Sequence, residues 1–303
     1  MLKLKVVCMN RIKLFISVFK SNAEKTGDIL LPVSAGASLY SCDDPKLEIC
    51  DDSGENISEK NQSYCELTVQ YWAWKNCDFD FGGLMHQRRY FDFSDTSPFS
   101  FDNHRRTKKP YRIFDEPDAD TLRKLKTDYK TISSLMQKYR IIAPLSENIY
   151  QSVSRYYDRN DRKEFDDLSL LCNVIDDLYP AYSESARQYL GQNYSYFCNM
   201  FLMDRELFCS YSQWLFDILF EYDKRKPEKY FYPREQGKLA ERLFGVYMTY
   251  LKSKTDIPWA ELPRAHFASV GGITMKNLSF NKKLYRLCPP GSRRRGILRR
   301  LRK

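Results

Sequence analysis

Histidine is scarce in this chain: three in 303 residues, His86, His104 and His266, far apart in sequence. No HxxxH or CxxC pair occurs, which removes the usual spacings of a structural zinc site. The nine cysteines are scattered and odd in number, so no disulfide framework is expected and a reducing cytosol is. There is no GxGxxG and no GxxxxGKS/T, which argues against dinucleotide enzymes and P-loop nucleotide hydrolases. No run approaches the ~20 apolar residues of a spanning helix. The stretch "KLKVVCMNRIKLFISVF" is basic, but Asn10, Arg11 and Lys13 break its apolar runs. Neither a signal peptide nor a membrane span is expected from it. No internal repeat is found.

What is present is enough for a core. Hydrophobic residues make up 43% and aromatic residues 15%, the composition of a folded globular chain. The net charge of +10 is unevenly spread. The last twelve residues, "SRRRGILRRLRK", hold Arg293, Arg294, Arg295, Arg299, Arg300, Arg302 and Lys303. Without those seven, 42 basic residues face 39 acidic ones, so the body is nearly balanced. If helical, the tail gathers Ile297, Leu298 and Leu301 among arginines, the pattern of a membrane-surface helix attracted to anionic lipid. Nucleic-acid binding is the rival reading of such a tail, and the balanced body argues against it.

Apolar runs at residues 12–19, 28–36, 78–85, 140–145 and 194–203 read as strands, with Pro32 stopping the second and Pro144 breaking the fourth. Helical periodicity marks residues 63–76, 119–139, 162–178 and 235–252. A further amphipathic helix carries Phe208, Tyr211, Leu215, Ile218, Leu219 and Tyr222 on one face. "SYCE" fits a capping box, with Ser63 as N-cap and Glu66 reaching back, and Asn76 is placed to close that helix in a left-handed turn. "LPRAHFASV" adds a last strand, and residues 94–118 read as a long loop. Alternating strands and helices predict an α/β domain with a mostly parallel sheet. Ligands of such sheets bind beyond the carboxyl ends of the strands.

"GLMHQRRYF" sets His86, Arg88 and Arg89 directly after a strand end. Paired guanidinium groups suit a diphosphate; an ordinary salt-bridged loop is the plainer reading. "DDSGENIS" offers acceptors for sugar hydroxyls, or an Asx-rich surface turn. "AERL" puts Glu241 and Arg242 on an otherwise apolar helix face, as a general base or as a half-exposed ion pair. Asp78-Phe79-Asp80 spells the DxD of metal-dependent sugar transferases, yet it stands at the start of its strand, away from the expected ligand edge.

The segments "DDSGENISEKNQSYCELTVQYWAWKN", "FGGLMHQRRYF", "CNMFLMDRELFCSYSQWLFDILFE" and "LAERLFGVY", in this order, resemble the bacterial capsular and exopolysaccharide glycosyltransferase family, often described only as a domain of unknown function. The resemblance spans roughly residues 12–267. It implies an α/β, GT-A-like Rossmann-type domain over residues 12–270, after an extension at 1–11 and before a basic tail at 271–303. It also implies hexosyl transfer from a nucleoside diphosphate donor. UDP is the expected nucleotide and, since relatives include galactofuranosyltransferases, UDP-galactofuranose a candidate donor. The implied acceptor is a lipid-linked glycan in capsule, exopolysaccharide or O-antigen synthesis, at the inner face of the plasma membrane.

Carried over by motif, Asp52, Asn56 and Ser58 line or fix the donor site with His86, Arg88 and Arg89. Trp72, Trp74, Tyr90, Asn199 and Arg242 bind substrate, and Tyr64, Glu66 and Lys75 also match the helix motif. Glu241 is the expected base, with Asp204 and Asp167 behind it. No metal is required, although a divalent ion is not excluded. The chain departs from the family pattern at Gln87, where relatives carry Tyr, and at Phe19-Lys20, where they carry His-Lys. It also lacks the histidines relatives place before an Asp-Leu. The competing class is a non-catalytic basic protein that binds anionic glycan or nucleic acid.

Overall fold

The computed structural model describes residues 11–19, 29–40, 47–94, 110–161 and 165–268, with positions 287 and 294. The expected N-terminal extension, apart from Arg11, and the basic tail, apart from those two positions, lie outside the described residues.

The strands are β1 (Ile12–Val18), β2 (Leu30–Ser34), β3 (Phe81–His86), β4 (Arg89–Phe91), β5 (Tyr111–Phe114), β6 (Ile141–Pro144), β7 (Glu147–Asn148), β8 (Tyr194–Ser195), β9 (Phe201–Asp204), β10 (Trp259–Leu262) and β11 (Arg264–Phe267). The α-helices are α1 (Asn61–Tyr64), α2 (Leu67–Asn76), α3 (Ala119–Leu125), α4 (Tyr129–Met136), α5 (Val153–Asp161), α6 (Asp167–Leu178), α7 (Ser183–Gly191), α8 (Arg205–Arg225) and α9 (Glu235–Lys254).

The main sheet runs β2-β1-β3-β9-β6-β10, parallel except for β9. A short turn leads from β3 into β4, and β4-β11-β5 continues the sheet on that side. Alternation of side chains along β1 sends Phe15 into one core with α2, α8 and α9. It sends Leu14, Ile16 and Val18 into a second core with α3 and α4. Burial on both faces explains why β1 reads as an almost unbroken apolar run. Helix α8 buries the face its periodicity predicts, from Phe208 to Tyr222.

Four sequence expectations are corrected here. Pro32 does not stop β2 but sits within it, opposite Ile16. This is tolerated because β2 is the outer strand, where one side needs no donor. Residues 194–203 do not form one strand. Cys198 (φ 82°) and Asn199 (φ 45°) turn the chain, so Tyr194–Ser195 pairs with β7 while Phe201–Asp204 enters the main sheet. The capping box is also absent. Cys65 adopts φ 52° and splits the predicted helix into α1 and α2, and neither makes a side-chain cap. Asn76 closes no left-handed turn, since the next residue, Cys77, is extended.

Because β9 runs antiparallel, its start lies beside the carboxyl end of β3: Leu84 pairs with Phe201, so His86 and Asn199 fall at the same edge. The opposite edge receives Asp204, paired with Phe81. Gly83 makes this close approach possible, since a Cβ there would stand 2.6 Å from Leu14 and 2.7 Å from the Phe201 carbonyl. Among the described residues no helix is long and apolar enough to cross a membrane.

Candidate functional site

The polar stretch before the aromatic helix is a clamp. Asp51, fully buried, accepts from the backbone N–H groups of Gly36 (2.9 Å) and Ala37 (3.0 Å) and from Ser58 Oγ (2.6 Å). Ser58 in turn accepts from Ser38 N–H (3.1 Å). Asn56 ties its own turn through the Asp52 and Gly54 carbonyls (2.9 and 3.0 Å). These bonds fix the loop after β2, with Gly36 in the left-handed region (φ 72°). Asp52 itself is exposed, and neither it, Asn56 nor Ser58 lines a cavity described below. The buried Asp51 was missed because it spells like its neighbour.

Helix α2 is core. Trp72 meets Phe15 edge-on and donates to Ser53 Oγ (2.9 Å), and Trp74 stacks on Phe216 at 6.0 Å. Asn76 bonds Glu55 N–H, Glu55 O and Trp72 O, which locks the polar stretch to the helix. Tyr90 is buried against Phe267. The structure therefore places Trp72, Trp74 and Tyr90 in packing, away from both cavities.

At the carboxyl ends of β1, β2 and β3 lie two adjoining cavities. The first, about 440 Å³, is bounded by Ser17, Phe19, Ala35, Tyr40 and Gln87. The second, about 320 Å³, is bounded by Tyr111, Glu147, Tyr156, Phe197, Cys198, Glu241, Arg264 and His266, with Arg89. Glu66, His86, Arg88 and Arg234 line both. The two departures from the resembled pattern meet in the first cavity: the Gln87 amide exchanges bonds with Phe19 N–H (3.0 Å) and O (3.1 Å). Phe19, exposed, stands edge-on to Tyr40 at 5.0 Å.

Arg88, Arg89 and Arg234 form no ion pair among the described residues. Arg234 takes the left-handed N-cap position of α9 (φ 64°), held by its N–H to Gln62 O (2.8 Å). It thus adds a guanidinium to the positive end of a 20-residue helix. No sequence signal singled it out; a third cation after a proline looks like any surface arginine. Burial, and then Arg89 and Arg234, pull Arg88 below the ordinary guanidinium value. The His86 imidazole is pushed down to about 3 by burial first, then by Arg89, Arg88 and Arg234, so it is neutral. Its Nδ1 accepts from Arg88 N–H (3.2 Å), which leaves Nε2 as the protonated nitrogen.

The carboxylates differ sharply. Glu241 accepts from Cys198 N–H (2.6 Å) and from Arg242 Nη1 (2.8 Å). Glu147 is tied to the buried Arg264. Glu66 accepts from Asn199 Nδ2 (2.9 Å), whose other hydrogen goes to Gly237 O (2.8 Å). Arg242 is buried over the rings of Tyr157 and Phe197 and acts through Glu241. Of the six described non-glycine residues with positive φ, Cys65, Cys198, Asn199 and Arg234 gather here. Such clustering of backbone strain is typical of functional sites.

The two reserve bases stand elsewhere. Asp204 caps α8 by accepting from Leu207 N–H (2.9 Å) and pairs with Arg140, at the far edge of the sheet. Asp167 is sealed with Lys226 (2.6 Å), Glu235, Tyr222 and Tyr232, a buried network that anchors the start of α9. Asp78 and Asp80 also lie at the far edge, paired with Arg11, and Asp78 also with Arg205. No group of three or more His, Cys, Asp or Glu among the described residues is arranged to hold a metal.

No curated protein matches the chain. A solved apo structure of the WbbM bifunctional glycosyltransferase is similar, with a TM-score of 0.76, 28% sequence identity and 86% of this chain covered. The chain spans less than half of that protein, 46%. The family model described as "Domain of unknown function (DUF4422)" matches residues 13–253, and the chain belongs to that family.

Proposed function

We propose that the chain is a glycosyltransferase that moves a sugar from a nucleoside diphosphate donor to an acceptor hydroxyl. One observation carries this reading: Arg88, Arg89 and Arg234 meet, without ion pairs among the described residues, around neutral His86 between two cavities at the sheet's ligand edge. Three guanidinium groups and a helix N-terminus stabilise the charge that grows on a departing diphosphate. They supply electrostatically what a metal ion supplies elsewhere, so no metal is required in this reading. Phe19 and Tyr40 offer the first cavity an aromatic wall for the base. The second cavity, with Tyr111, Tyr156 and Phe197, suits a sugar acceptor. The likeness to the bifunctional glycosyltransferase supports the same class.

In its finer form the donor is a UDP-hexose, with UDP-galactofuranose the first candidate. The acceptor is a lipid-linked glycan of capsule, exopolysaccharide or O-antigen synthesis, and nucleic acid is no partner. The tail holds the enzyme to an anionic membrane face. These points rest on the motif resemblance and on the tail's composition. Titration calorimetry with UDP, with and without EDTA, tests the reading. UDP binding that survives EDTA and vanishes in Arg88→Ala/Arg89→Ala supports it; a manganese requirement, or no binding of any nucleotide, counts against it.

A further inference from the structure

A transfer of this kind needs a base at the acceptor hydroxyl where it faces the donor. Three carboxylates, Glu66, Glu147 and Glu241, border the cavities, of which Glu147 is engaged by the buried Arg264. Glu66 lines both cavities, whereas Glu241 lines one. Glu241 has each oxygen committed to a donor, at 2.6 and 2.8 Å. Among the described residues Glu66 receives a single side-chain bond, from Asn199. The backbone also singles out Glu66. The break at Cys65 (φ 52°) takes it off the α1 helix, and Asn61 holds that break by donating to the Cys65 carbonyl (2.9 Å). Asn199, nearly fully buried, is kept in its strained conformation between Glu66 and Gly237 O, beside the Cys198 N–H that Glu241 grips.

We propose that Glu66 is the general base of the transfer, and that Glu241 is a positioning residue that holds the Cys198–Asn199 turn and so aims Glu66. The proposal rests on the glycosyltransferase reading above. The acceptor oxygen bonds to the anomeric carbon of the donor sugar while the bond from that carbon to the diphosphate oxygen breaks. The electron pair leaves with the diphosphate onto Arg88, Arg89 and Arg234, and the acceptor proton passes to Glu66. A single displacement inverts the anomeric configuration.

Burial pushes the Glu66 carboxyl above its ordinary range, while its own N–H, Asn199 and Arg234 work the other way and Glu241 adds to the rise. The charged and titratable groups around it are Cys65, His86, Arg88, Arg234 and Glu241. A base with a raised pKa is matched to work nearer neutrality. The rate is then expected to fall on acidification, as Glu66 takes up its proton.

The experiment compares wild type, Glu66→Gln and Glu241→Gln for UDP binding by calorimetry. It also follows UDP release from a panel of UDP-hexoses that includes UDP-galactofuranose, with octyl galactoside as acceptor, across pH. Glu66→Gln is expected to bind UDP at least as tightly as wild type, since a negative charge beside Arg88 and Arg234 is removed, to lose about 10²–10⁴-fold in kcat, and to lose the acid limb. Glu241→Gln is expected to melt earlier yet keep that limb, and the product anomer to be inverted. Wild-type turnover in Glu66→Gln, an acid limb lost only in a folded, UDP-binding Glu241→Gln, or retention of configuration each overturns the assignment alone. Wild-type protein that binds neither UDP nor any other nucleoside diphosphate overturns the glycosyltransferase reading, and this assignment with it.

Discussion

Strand β3 carries charge at both ends, and the two ends behave differently. At its start, Asp78 and Asp80 meet Arg11, Asp78 also meets Arg205, and Asp204 meets Arg140. At its finish, Arg88, Arg89 and Arg234 stand together without ion pairs among the described residues, and Glu66 and His86 are set between them. At the start of β3 each of these charges has an opposite partner. Three guanidinium groups around one buried carboxylate leave an excess of positive charge, and such an excess in a cleft marks a candidate site for an anionic ligand. The contrast separates two stretches that look equally suited to chemistry as text, "DFD" and "HQRR".

The largest expected effect is at the unpaired end. Charge-assisted hydrogen bonds contribute roughly 1.5–3 kcal/mol each, so Arg88→Ala/Arg89→Ala is expected to weaken UDP binding by about 10²–10⁴-fold. Calorimetry measures this, and a melting temperature near wild type shows that the fold is intact.

At the paired end the effect moves to stability. Asp204→Ala removes the cap of α8 and leaves Arg140 without its nearest carboxylate. A loss of about 0.5–2 kcal/mol in urea unfolding is expected, with UDP affinity unchanged. A matching loss of UDP affinity would erase the distinction between the two edges.

Acid should act through His86. Its folded pKa of about 3 lies below the ordinary value of 6.5, so its contribution to stability is complete above pH 6.5 and is lost as pH falls toward 3. Unfolding midpoints measured down this range should decline less steeply in His86→Gln. Saturating UDP should protect the wild type, since phosphate charge offsets the neighbouring arginines.

The smallest effect is expected from Asp78→Asn/Asp80→Asn. These carboxylates and Arg11 are largely exposed, where ion pairs add little. UDP binding, its response to manganese and the melting temperature should all stay close to wild type. A loss of manganese-stimulated binding would return the DxD spelling to the site.

Much of the frame was legible in the chain. Residues 12–19 announced β1 by an apolar run, and the Phe208–Tyr222 face announced α8 by its period, because burial on a regular element writes itself into the sequence. "HQRRYF" was legible as a cationic stretch beside a cavity because the carboxyl ends of strands in parallel sheets open at the ligand edge. Trp72 and Trp74, expected as substrate contacts, pack against Phe15 and Phe216 and line neither cavity. Aromatic residues serve cores and sugar sites alike, and only the positions of Phe15 and Phe216 reveal which. Asp204 and Asp167 were misplaced for a related reason: an acidic residue near a motif does not say which edge of the sheet it reaches.

The sequence by itself determined the α/β alternation, the confinement of excess positive charge to the tail and the cationic segment that follows β3. These depend on local periodicity and composition. Only the tertiary structure decided that β9 runs antiparallel, which brings Cys198 and Asn199 beside His86. Only it placed Arg234 with Arg88 and Arg89, and turned Glu66 from a helix cap into a carboxylate shared by two cavities. Those outcomes depend on strand direction and on left-handed backbone at Cys65, Cys198, Asn199 and Arg234. Non-glycine residues adopt that conformation only when the surrounding packing and hydrogen bonds hold them there, and no local pattern announces it.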